Sequence, residues 1–113
     1  MGILDTNGRA SFQDAKLNKI NLFENAQMFC DLYCLEPGQE QKVHEHADAT
    51  KFYFVLEGRV SITIGDDTQD VAPGGLGWSA PGEPHGVRNE GTERAVLLVS
   101  MAPHPRFGGT TKP

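Results

Sequence analysis

The feature that most constrains this chain is its punctuation. Short β-forming runs follow one another, each closed within a few residues by glycine, proline or aspartate. Residues 51–56 place Phe52, Tyr53, Phe54 and Val55 in succession, and Glu57-Gly58-Arg59 turns the run. Val60, Ile62 and Ile64 then alternate with Ser61 and Thr63, so one face is apolar with a period of two. Further runs at residues 68–71, 76–79, 85–89 and 94–101 are divided by Pro73-Gly74-Gly75 and Ala80-Pro81-Gly82. Upstream, residues 26–36 read as an apolar strand ended by Pro37-Gly38, and residues 42–46 as a short one. A helical period survives for no more than one turn, near residues 12–17. Strands at such spacing belong to a sandwich or barrel.

Eight or so short strands must hide their edges, and a two-sheet jelly-roll barrel does so. The expected architecture is all-β. A single domain fills residues 1–113, with the barrel over about 20–102, a polar arm at 1–11 and a Pro/Gly tail at 103–113 that carries His104 on the surface. In residues 51–56, Lys51, Tyr53 and Val55 face one way, and Phe52, Phe54 and Leu56 the other. Both faces are apolar, which points to a homodimer across the outer face unless the N-terminal arm covers it.

Composition narrows the partners. The formal net charge is −5 and no stripe of Lys or Arg forms, so nucleic acid is not an expected partner. No apolar run approaches the ~20 residues that span a bilayer, and no signal-peptide pattern opens the chain. Cys30 and Cys34 are the two cysteines. On a strand they would stand roughly 13 Å apart, beyond the reach of a disulfide. Half-buried, reduced thiols and an acidic, dispersed surface fit a cytoplasmic protein.

Three of the four histidines fall where a metal would want them. His44 and His46 are one residue apart, so on a strand both side chains share a face, with Glu45 opposite. His85 follows the Pro81-Gly82 turn, where a neighbouring strand could add a third imidazole. Three neutral imidazoles with open positions suit Fe, Mn, Ni, Zn or Cu. Other candidates carry less. Trp78, Tyr53 and Phe54 could line a pocket but fit a core as well, and Glu83 sits in the turn before His85.

The spacing around the histidines carries a resemblance. Gly38-x5-His44-x-His46-x4-Lys51-x6-Gly58 resembles the first motif of the cupin family, and Gly74-x5-Ala80-x-Gly82-x2-His85-x3-Asn89 resembles the second. Together they span residues 38–89. The resemblance implies a double-stranded β-helix with His44, His46 and His85 as metal ligands. Gly38 and Gly58 stand at strand ends where φ > 0 is expected, and Gly82 after Pro81 suits a type II turn that aims His85 inward. Two positions depart from the family: Ala80 replaces a proline, and Lys51 stands where the family has a glutamate ligand. A protonated lysine cannot ligate. Either the site has three histidines only, or Asp48 supplies a carboxylate, or Lys51 anchors an anionic group of a substrate, or it balances Glu83 or Glu45.

Two functions follow from the resemblance. One is a metal-dependent enzyme (dioxygenase, isomerase or decarboxylase class) acting on a small polar carbonyl compound, with Lys51 as a candidate catalytic group. The other is a non-catalytic binding or sensor module whose metal is structural or anchors the ligand.

Overall fold

The computed structural model describes residues 2–105. Nine strands occur among the described residues: β1 (Asn18–Glu24), β2 (Phe29–Leu35), β3 (Glu40–His44), β4 (Thr50–Glu57), β5 (Val60–Ile64), β6 (Asp67–Val71), β7 (Leu76–Ser79), β8 (His85–Arg88) and β9 (Ala95–Ala102). They form a five-stranded sheet in the order β1-β2-β9-β4-β7 and a four-stranded sheet in the order β3-β8-β5-β6. Every pairing is antiparallel. This is the all-β, two-sheet architecture that the punctuation predicts, and it agrees with the double-stranded β-helix that the resemblance implies. No helix among the described residues is long and apolar enough to cross a membrane.

The core lies between the sheets. Tyr33, Leu35, Tyr53, Val55, Leu97 and Val99 from the larger sheet pack against Val60, Ile62 and Val87 from the smaller. Alternation explains the choice: along β4, Lys51, Tyr53 and Val55 are buried and Phe52, Phe54 and Leu56 are half-buried. The second face has two fates. Near Leu56 it is covered from the N-terminal side, where Phe12, Ile20 and Leu22 join Leu56 and Leu98 against buried Leu32, Cys34 and Val96. At the other end Phe52 pairs with Trp78 and Phe54 with Leu76, and those partners are 61% and 52% exposed.

Three expectations need correction. The helical turn near residues 12–17 does not form, and β1 follows directly with no counterpart in the sequence reading. Cys30 and Cys34 are free, as expected, but buried rather than half-buried. His104 is not a surface residue. It is 4% exposed, its Nε2 lies 2.6 Å from Glu24 Oε2, and its ring stands edge-on to Phe29 at 5.8 Å. Residues 106–113 of the tail lie outside the described residues.

Candidate metal centre

The three histidines come together inside the sandwich, by way of an irregularity. β3 and β8 pair Gln41 with Val87 and His44 with His85, and the register shifts between them. One extra residue on β3 lets Gln41 and His44, three apart, both face the interior. Gly86 makes this possible. A Cβ there would meet Gln41 O and Val43 N at 2.9 Å each, so only glycine lets the bulged strand come this close. The strand expected over residues 42–46 ends at His44, so His46 reaches the group from the loop just beyond β3 rather than from a shared strand face.

A second link fixes His85. Glu83 N–H donates to Ala80 O at 3.0 Å across Pro81 and Gly82, and Gly82 has φ +80°, as a type II turn requires. Gly82 N–H then donates to His46 O at 2.7 Å, tying the loop of one histidine to the backbone of another. Gly38 and Gly58 also take the positive φ expected of them, +87° and +76°.

Ring orientation follows from the carbonyls the rings meet. His44 Nδ1 lies 2.7 Å from Lys42 O, and His85 Nδ1 lies 3.0 Å from Glu83 O. A carbonyl can only accept, so Nδ1 carries the proton and the neutral ring keeps its lone pair on Nε2. Those two Nε2 atoms are buried with no hydrogen-bond partner. The ligand atoms of His44, His46 and His85 all lie within 4.8 Å of one another. Burial holds all three rings below the ordinary imidazole range, with His46 and His85 at about 4, and Lys51 lowers them further. Neutral rings, converging lone pairs and no competing hydrogen bond at two of them make a donor set that fits a divalent transition metal.

A cupin-domain family model matches residues 31–101. The chain belongs to the cupin family. It is similar to a Thermus thermophilus protein of known crystal structure, at 44% identity and TM-score 0.88 over 91% of this chain and 98% of that one. An RmlC-like cupin from Desulfovibrio desulfuricans superposes with TM-score 0.80 at 25% identity, covering 91% of this chain and 97% of that one. An uncharacterised protein of Streptomyces coelicolor is 30% identical over 84 residues, 74% of this chain and 79% of its own length.

Around the triad, this cupin departs from the acid-bearing pattern as its sequence foretold. Lys51 is fully buried and donates to Gln41 Oε1 at 2.9 Å. Tyr53 Oη donates to the same oxygen at 2.8 Å, and Gln41 Nε2 donates to Tyr33 Oη at 3.2 Å. Burial, then Lys19, pulls the Lys51 amine down to about 7 against the opposing effect of Asp31. Of the acids proposed to meet Lys51 or the metal, none does so among the described residues. Asp48 and Glu45 are exposed, the histidine group includes no carboxylate, and Glu83 Oε1 accepts from Ala80 N in its own turn. Of the three candidate aromatics, Tyr53 faces inward with its ring 6.2 Å from that of His85, whereas Trp78 and Phe54 lie on the outer face. Sequence reasoning missed Gln41, Tyr33, Asp31 and Lys19. Gln41 had no signal, because only the bulge turns it inward.

Proposed function

We propose that this cupin holds a divalent transition metal on His44, His46 and His85 and acts as a metal-dependent enzyme on a small polar carbonyl compound. The observation that carries this reading is the pair of buried Nε2 atoms, on His44 and His85, that face a third imidazole and make no hydrogen bond. A buried polar atom left in this way needs a partner. A bound metal supplies Lewis-acid polarisation of a carbonyl or enol oxygen and, as iron, dioxygen chemistry. The chain contributes the rest. Lys42 O and Glu83 O hold two imidazoles in the ligating tautomer. Gln41, Tyr33, Tyr53 and Lys51 form a polar wall beside them, and the flanking core excludes water.

Metal analysis of the purified protein tests this directly. About one equivalent of metal per chain is expected in the wild type and none in His85→Ala. A wild type that binds no metal under replete conditions overturns the reading. A second reading, a metal-anchored binding module without turnover, is favoured by the lack, among the described residues, of a carboxylate in the histidine group. Stoichiometric ligand binding by the loaded protein without product would select it. For assembly, we propose a homodimer across the outer face that carries Phe52, Phe54, Leu76 and Trp78.

A further inference from the structure

The interior face of the five-stranded sheet carries charged side chains in addition to the three histidines. Register places Lys19 beside Tyr33, Asn21 beside Asp31, and Lys51 between Met101 and Ser79, in rows that face the smaller sheet. The Nζ atoms of Lys19 and Lys51 each stand 5.3 Å from the centroid of the same Tyr33 ring. Asp31 is buried, accepts from Asn21 Nδ2 at 2.9 Å, and lies within electrostatic reach of both lysines. Glu24, the next acid on this side, meets His104. Of the two lysines only Lys51 is buried, with a neutral acceptor as its hydrogen-bond partner, next to imidazoles that would bring no negative charge to a divalent ion. A buried ammonium is costly until an anion joins it. Lys51 has three N–H donors, and its one hydrogen bond among the described residues uses one of them.

We infer that Lys51 and Lys19 form an anion seat beside the histidine triad, and that the compound bound there is a small carboxylate. This rests on the metal reading of His44, His46 and His85. Lys51 forms the buried floor of the seat. Lys19 is exposed on edge strand β1, where the site meets solvent. A carboxylate fits better than a phosphate. Phosphate recognition favours arginine forks and backbone N–H cradles at helix N-termini. Every arginine among the described residues is exposed, and no helix occurs among them. The point charges of two lysines, with the tyrosine hydroxyls and the Gln41 amide, suit a short organic acid whose second oxygen faces the triad.

Calorimetric titration of the zinc-loaded protein with malonate, its neutral counterpart malonamide and inorganic phosphate tests the assignment, with zinc per chain measured alongside. Malonate is expected to bind at least about tenfold more tightly than the other two, the scale of one charge-assisted hydrogen bond. Lys51→Met should weaken malonate about tenfold or more, and Lys19→Gln about threefold, both with zinc content unchanged. Equal malonate affinity in wild type and both variants at full zinc content overturns the seat. Equal binding of malonamide overturns the requirement for charge, and preferred binding of phosphate overturns the carboxylate class. Should Lys51→Met fail to fold, Lys19→Gln on the exposed edge strand carries the test. Zinc missing from the wild type would overturn the metal reading instead. Titration of the zinc-free protein then decides the seat by itself: lysine-dependent malonate binding supports it, and none overturns it.

Discussion

At the scale of single residues, Lys51 is a costly side chain to bury. Its amine is fully buried with one neutral acceptor, and burial brings it down to about 7 from an ordinary 10.5. As pH falls from 10.5 to 7, the unfolded chain takes up this proton first, so the folded state loses stability across that window; below 7 the full cost is present. Lys51→Met is therefore expected to stabilise the metal-free protein by about 1–4 kcal/mol at pH 7. The gain should shrink toward zero near pH 10.5, as urea unfolding at a series of pH values would record. A loss of stability at pH 7 would contradict this account. The triad gives the companion expectation. His46 and His85 are held at about 4, so both are neutral at pH 6, where an ordinary imidazole is mostly protonated. Zinc uptake at pH 6 should release far less than one proton from each, measurable by calorimetry in buffers of different ionisation enthalpy. In the metal-free protein the same shifts mean that the unfolded chain binds more protons between pH 6.5 and 4, so stability drains away as pH falls through that range.

At the scale of elements, the bulge in β3 and the tight turns are what place the ligands. Gly86→Ala forces a Cβ against the β3 backbone. It is expected to cost about 1–3 kcal/mol and to weaken zinc binding with it, because the strand that moves carries His44. Gly58 offers a control. It has φ +76°, and a Cβ there would overlap the Arg94 carbonyl oxygen, yet no histidine lies on its turn. Gly58→Ala should therefore cost at least as much stability, about 1–3 kcal/mol, while the folded fraction keeps its zinc affinity. Chemical unfolding paired with a competitive zinc titration separates the two. Equal zinc affinities in the two variants would mean that the β3 bulge does not position the site. β1 shows why one element escaped the sequence reading. Its apolar residues, Ile20 and Leu22, face outward under Phe12, and its interior face carries Lys19 and Asn21. The usual alternation is inverted because Lys19 and Asn21 meet Tyr33 and Asp31 on the interior face, while the back of the strand packs with Phe12.

At the scale of the whole molecule, the outer face of the larger sheet is divided. Phe12 packs over the end near Leu56, beside Ile20 and Leu22 of β1, and the end bearing Trp78 and Leu76 stays open. An apolar strip of this kind on a sheet edge favours self-association. Light scattering after size exclusion is expected to give twice the chain mass for the wild type and the monomer mass for Trp78→Glu, with unchanged circular dichroism. A monomeric wild type at micromolar concentration would remove the dimer from consideration.

The period-two runs and their turn residues were enough to define two antiparallel sheets, since alternation and turn chemistry are local properties of the chain. Glycine spacing likewise carried the resemblance that implied His44, His46 and His85 as a group, whereas the strand read over residues 42–46 ends at His44, so the placement of His46 belongs to the loop beyond it. Lys51 was legible as a departure from the family's acid. Its neighbours were not. Gln41 enters the interior through a bulge, Tyr33 and Asp31 arrive from a strand read simply as apolar, and Lys19 lies on a strand whose pattern is inverted. His104, framed by prolines near the end of the chain, looks solvated until Glu24 and Phe29 close on it. Each of these contacts joins residues on different strands, or at distant points of the chain, and no local period encodes such a meeting. The sequence by itself determined the fold and the three imidazoles. Tertiary structure decided what surrounds them, because the charge and burial of a site depend on which strands are stacked across it.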